Sequence, residues 1–148
     1  MLRSFRVANH RSIRDEQELL FDPAYDKSTS VVPVAAVFGA NASGKSNLLD
    51  ALRWLRDAVL TSFAAWQPGS GIPRTPFRLD PHAAELPSSY CVEILVAGLR
   101  YSYGIEVDDD KVRQEWLYSY PHSRRPAARS APSRTTSTVC GPLSVDRR

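Results

Sequence analysis

Cysteine is scarce in this 148-residue chain. Its two cysteines, Cys91 and Cys140, stand at no metal-ligand spacing and make no disulfide framework, which suits a reducing compartment. Long apolar runs are also missing. The longest, Val31 to Phe38, is too short to cross a bilayer and contains Pro33. The N-terminal string MLRSFRVANHRSI has basic residues but no apolar core, so no secretory signal is read there. No internal repeat is visible. These absences lead to the expectation of a cytoplasmic protein with no membrane partner.

Hydrophobic residues make up 43% of the chain, which excludes a wholly disordered protein, and the length suits one domain with a modest core. The net charge of +3 is unevenly placed. Residues 121–148 hold six arginines against Asp146 alone, a net +5, which leaves −2 for residues 1–120. The basic character therefore belongs to the tail and does not mark the rest as a nucleic-acid binder. With four Pro and eight Ser/Thr and no hydrophobic periodicity, residues 121–148 read as a disordered basic tail behind a folded unit at residues 1–120.

Along the folded unit, Leu2 to Phe21 reads as two strands around an Asn9-His10-Arg11-Ser12 turn, and Asp26 to Ser30 as a polar loop. Val31 to Phe38 is apolar at every position, the pattern of a strand buried on both faces of a parallel sheet, with pairing expected after Pro33. Leu48, Leu52, Leu55 and Val59 then recur at helical spacing, widened by Leu49, while Arg53 sits three residues after Asp50 and four before Asp57 on the opposite face. Pro68 to Pro76 reads as a loop. From Tyr90 the period becomes two: Tyr90–Val96, Tyr101–Val107 and Val112–Tyr120 read as an antiparallel meander turning at Ala97–Arg100 and Asp108–Asp110.

One segment carries chemistry. Gly39-Ala40-Asn41-Ala42-Ser43-Gly44-Lys45-Ser46 has the form G-x-x-x-x-G-K-S between a strand-like run and a helix pattern. Composition alone produces such a string in roughly one in a thousand chains of this kind. Glycines let backbone N–H groups close around phosphate oxygens without Cβ clashes. Lys45 supplies a mobile point charge, and it is one of three lysines among 19 basic residues. Ser46 offers a hydroxyl to Mg²⁺, a cation that takes oxygen ligands. The fold class expected from this arrangement is α/β, a P-loop nucleotide-binding unit followed by the antiparallel meander.

The string Phe38 to Leu52 (FGANASGKSNLLDAL), with Phe5 to Ile13 (FRVANHRSI) upstream, resembles the N-terminal half of the ABC-type ATPases related to RecF, SMC and OLD proteins, many grouped as AAA-family ATPases. Residues 76–80, 101–106 and 115–118 resemble that group's antiparallel lobe. The resemblance implies ATP and Mg²⁺ as cofactors. It places Asn41 near the γ-phosphate and the Asn9–Ser12 turn near the nucleotide, with Arg11 the side chain there best able to reach a phosphate. Asn47 matches the group's pattern inside the helix. DNA as a partner, and assembly as a homodimer or with a full-length relative, are expected on the same ground alone.

Hydrolysis requires more than a phosphate cradle: a carboxylate for Mg²⁺ and a group that positions water. The group's Walker B strand, signature sequence and switch histidine have no counterpart in this sequence. Asp108 is the nearest carboxylate candidate, but the meander makes it a hairpin-turn residue. His10, His82 and His122 read as isolated surface residues, so no catalytic residue is assigned. The chain therefore reads as the front part of such an ATPase, able to bind nucleotide but not to turn it over unaided. An out-of-frame end at residues 121–148 would explain this. A non-hydrolysing interaction fragment and a gene remnant are the alternatives.

Overall fold

The computed structural model describes residues 1–23, 31–66 and 69–120. The polar loop expected at 26–30, the tail at 121–148, Cys140 and His122 lie outside the described residues. Seven elements follow in order: strands β1 (Leu2–Ala8) and β2 (Gln17–Leu20), helices α1 (Lys45–Ala65) and α2 (Pro81–Glu85), and strands β3 (Ser88–Val96), β4 (Leu99–Val107) and β5 (Val112–Tyr120). The strands form one antiparallel sheet in the order β2-β1-β3-β4-β5. Both the expected pairing of the first two strands and the meander of the last three are present.

Period-two alternation sorts the sheet into two faces. Phe5, Val92 and Tyr103 lie in one row across β1, β3 and β4, and Val7, Tyr90 and Ile105 in the next. This apolar face meets α1 through Ala51 and Leu55, and Phe5, Val7, Tyr90 and Val107 are almost wholly enclosed. The opposite face carries rows such as Arg6, Cys91, Gly104 and Trp116. The β3–β4 connection is a two-residue turn, Ala97-Gly98, with φ of 50° and 80°. Positive φ at both positions matches the twist of the flanking strands, which is why the strands extend closer to the turn than their apolar pattern suggests.

Two expectations are corrected. Val31–Phe38 is not a buried strand. Val31 is buried and Val32 N–H donates to Phe21 O at 2.7 Å, but beyond them the segment is extended coil, with Val34 80% and Phe38 89% exposed. A strand requires a ladder partner for its N–H and C=O groups, and no described strand runs beside this segment. The helix exists and most of its expected stripe faces inward: Leu55 is buried and Leu48 and Leu52 pack against the core, but Ala51 and Ala58 are buried beside them and Val59 is not. The two alanines allow close approach to the sheet. Leu48 and Leu52 are half-buried, whereas Leu49 and Val59 are more than half exposed. The expected pairing of Arg53 with Asp50 and Asp57 is also absent: Asp57 pairs with Arg56 at 2.6 Å, and Asp50 turns toward the sheet.

Gly104 stands opposite Trp116 across β4 and β5, and a Cβ there would collide with the indole ring. The bare backbone is the floor on which that ring lies. Gly104→Ala is expected to destabilise the fold by about 1–3 kcal/mol, the usual cost of overpacking, read as a lower melting temperature. Combining it with Trp116→Ala should cost less than the sum of the two single changes.

Candidate functional site

The segment from Gly39 to Lys45 is a tight loop at the start of α1. Ala42 and Gly44 have φ of 64° and 90°, the left-handed region that bends the chain back on itself. Gly44 is the N-cap of α1 and has no side chain to satisfy the first helical N–H groups. The first backbone bond of the helix runs from Leu48 N–H to Gly44 O at 3.0 Å. Gly39 packs so closely that an added Cβ would stand 3.0 Å from Ser43 Oγ.

Lys45 folds back into this loop. Its ammonium donates to Gly39 O at 2.7 Å, Ala40 O at 2.5 Å and Ser43 Oγ at 3.2 Å. The three protons of the cation thus meet three oxygens of the loop's own rim. Asn41 and Ser46 are exposed, and their side chains have no protein partner among the described residues. Ser46 can therefore present its hydroxyl to a cation, and Asn41 its amide to an anion. Asn47 does something else: its Nδ2 donates to Ser12 Oγ at 2.6 Å, tying α1 to the turn after β1.

That turn divides its labour. Asn9 faces inward: its Nδ2 donates to Ala83 O at 2.7 Å and Leu86 O at 2.8 Å, and its Oδ1 accepts from Phe77 N–H at 2.9 Å. It therefore organises the α2 region, away from the loop. Arg11 and Ser12 face α1. Arg11 Nε lies 2.7 Å from Asp50 Oδ2, and Ser12 Oγ lies 3.5 Å from where a Cβ on Gly44 would be. The turn adjoins the Gly39–Lys45 loop through Ser12, and Arg11 rests on a carboxylate of α1.

His10 corrects the surface reading. Its side chain is 1% exposed, with Nδ1 2.9 Å from Tyr90 Oη and Nε2 3.1 Å from Asp50 Oδ2. One tautomer satisfies all three groups: Tyr90 O–H donates to Nδ1, and Nε2–H donates to the carboxylate. Burial pushes the imidazole below its ordinary value, with adjacent Arg11 adding to the effect and Asp50 opposing it. Burial likewise pushes the Tyr90 phenol up, so it remains a donor. His82 is exposed, as expected.

Asp50 and Tyr90 were not singled out as site residues in the sequence. The signal for Asp50 was its place five residues after Lys45, but helical charge spacing offered Arg53 as a nearer partner. Asp108 is fully committed as a turn residue. Its Oδ1 accepts from the N–H groups of Asp110 and Lys111 at 2.8 and 2.6 Å, and its Oδ2 meets Arg113. Burial works against its charge, yet those bonds hold the carboxyl below its ordinary range. Among the described residues, no group of three or more His, Cys, Asp or Glu is placed to hold a metal ion.

A histidine buried neutral binds its proton less readily in the folded chain than in the unfolded one. Stability from this source is unaffected at pH above about 6.5, and falls as pH drops below it because only the unfolded chain gains the proton. Thermal melting between about pH 7.5 and 5.5 should show this decline in wild type and a shallower one in His10→Gln.

No helix of the described residues is long and apolar enough to cross a membrane. No curated protein and no solved structure matches the chain. A family model does, over residues 34–134, a range that opens just before Gly39 and takes in α1 and strands β3 to β5. With most of its length matched, the chain belongs to the family of AAA domains described as AbiEii toxin-like, Type IV TA system, and is an AAA-type P-loop ATPase-like domain.

Proposed function

We propose that the chain binds ATP together with Mg²⁺ at the Gly39–Asn47 loop, as the nucleotide-binding module of a cytoplasmic ABC/AAA-type ATPase related to the RecF, SMC and OLD proteins. One observation carries the reading. A left-handed glycine turn leaves the first N–H groups of a 21-residue helix without a side-chain cap, and a lysine ammonium sits in the middle of that turn. Uncapped N–H groups and the positive end of the helix dipole favour an anion at this spot.

Each residue has a role in that binding. The uncapped N–H groups at the start of α1 would meet the phosphate oxygens, and Gly39 and Gly44 would let the backbone approach them. Lys45 exchanges its carbonyl partners at Gly39 and Ala40 for phosphate oxygens, which keeps three acceptors around one ammonium. Ser46 would contribute a hydroxyl to Mg²⁺, which would supply positive charge against the phosphates. Asn41 reaches the outermost phosphate and Arg11 approaches from the β1–β2 turn. No described carboxylate lies at the loop to hold the metal or position water, so the function assigned is binding without unaided hydrolysis.

Titration of a fluorescent ATP analogue with Mg²⁺ tests this. Lys45→Ala should weaken binding by about tenfold or more, the worth of a charge-assisted contact. Equal affinity for both proteins would remove the assignment.

A second reading rests on other residues. Leu60 is 72% and Phe63 88% exposed on α1, beside a groove of about 550 Å³ lined by Leu49, Leu52, Val59, Val92 and Tyr103 among others. An apolar face of this kind suits a chain that pairs with another polypeptide. If a second copy is the occupant, sedimentation should show concentration-dependent association that Phe63→Glu abolishes. A monomer at every concentration would dismiss self-pairing.

A further inference from the structure

Asp50 carries no role in the phosphate loop itself, yet it is the point where the loop's helix meets the turn after β1. One oxygen, Oδ2, faces two cation-capable groups: His10 Nε2 at 3.1 Å and Arg11 Nε at 2.7 Å. The two sides differ. His10 is enclosed and is fixed from behind by Tyr90, whereas the Arg11 side chain is about half exposed. Arg11 comes closest to the carboxylate through Nε, and its terminal nitrogens make no hydrogen bond among the described residues.

Placement gives this pairing a direction. Asp50 lies five residues into the helix from Lys45, about 7.5 Å along the axis at the usual rise. Ser12, next to Arg11, touches the helix start through Asn47 and approaches Gly44. The guanidinium is therefore held against α1, roughly one to two turns from the loop, by its contact with Asp50. Arg11 itself has φ of 50°, a conformation that the N–H bond to Thr75 O at 2.7 Å and the His10–Ile13 bonds on either side keep in place. A long side chain on a fixed backbone still has its own rotamers to lose on meeting a ligand. Pairing through Nε removes much of that freedom beforehand and leaves the fork of terminal N–H groups free for phosphate.

We propose that Asp50 is a positioning residue for nucleotide: backed by His10, it aims the Arg11 guanidinium at the outer end of a triphosphate held in the Gly39–Ser46 loop. The inference rests on the ATP-binding reading above and adds a device that neither the loop motif nor the family match assigns. Arg11 delivers its charge most strongly to the more highly charged nucleotide, so Asp50 acts on ATP in preference to ADP. His10, neutral and locked between Tyr90 and Asp50, keeps the carboxylate turned toward Arg11.

The experiment is a double-mutant cycle on the full chain with fluorescent ATP and ADP analogues and Mg²⁺. The proteins are wild type, Asp50→Asn, Arg11→Ala, the combined variant, and Lys45→Ala as a control on the loop. Asp50→Asn keeps an acceptor for His10 and removes only the charge that holds Arg11. Arg11→Ala alters an exposed side chain and leaves the fold intact. Each single variant should bind ATP about five- to tenfold more weakly and ADP within about twofold of wild type, and the combined variant should be no worse than Arg11→Ala. Three results overturn the proposal while leaving ATP binding standing: multiplying effects in the combined variant, equal losses for ATP and ADP accompanied by a lower melting temperature, or unchanged or tighter ATP binding by Asp50→Asn. Lys45→Ala binding as wild type does is a different failure, and it removes the loop assignment itself.

Discussion

A single buried phenol joins the three parts of this molecule. Tyr90 belongs to β3, its ring stacks on Trp54 of α1 at 4.2 Å between centroids, and its hydroxyl meets His10 in the turn after β1. A buried hydroxyl without a partner is costly, so its hydrogen bond fixes where His10 must be. His10 in turn fixes Asp50, and Asp50 sits on the helix that opens with the phosphate loop. The sheet thus sets the position of the loop through a chain of satisfied polar groups, assisted by the packing of Ala51 and Leu55 on the apolar sheet face. Small alanines bring the helix close enough for those polar contacts to form.

What the amino-acid pattern revealed depended on how local the cause was. The meander was legible because alternation and turn chemistry are local: Tyr90, Val92, Ile105 and Val107 alternate with polar neighbours, and Ala97-Gly98 and Asp108–Asp110 mark the reversals. The tight loop before α1 was legible for the same reason, since its glycines and Lys45 stand at fixed spacing in one stretch of chain. The start of α1 followed from it directly. Residues whose roles come from distant partners were not legible. His10 looked like any polar turn residue until Tyr90, eighty positions away, came to stand behind it. Asn9 is similar. Its side chain serves Phe77, Ala83 and Leu86, which the order of the sequence keeps far from it.

The misreading of Val31–Phe38 has a related cause. Apolar composition at every position states that a segment would be stable when covered on both sides, and it says nothing of what does the covering. In the structure only Val31 reaches the core, and Val34 and Phe38 stand in the open. The same holds for part of α1: Leu49, Val59, Leu60 and Phe63 remain largely exposed, while Leu55 is buried and Leu48 and Leu52 pack against the core. Helical spacing found the helix and most of its inward stripe, but not that Ala51 and Ala58 share the buried face.

On the proposed reading, grip is separate from turnover. Every feature of the loop favours holding an anion: the open N–H groups at the helix start, the left-handed turn that exposes them, and an ammonium held by weak neutral acceptors that charged oxygens can replace. Chemistry on the anion would demand a carboxylate aimed at the metal and a base near the attacking water. Two carboxylates that could be considered are already engaged. Asp50 answers His10 and Arg11, while Asp108 binds its own turn. An acidic group at Asp50 would repel phosphate if it stood alone. On the proposed reading, pairing with Arg11 turns that acidic residue into a support for a polyanion site, because it sets the direction of a positive group.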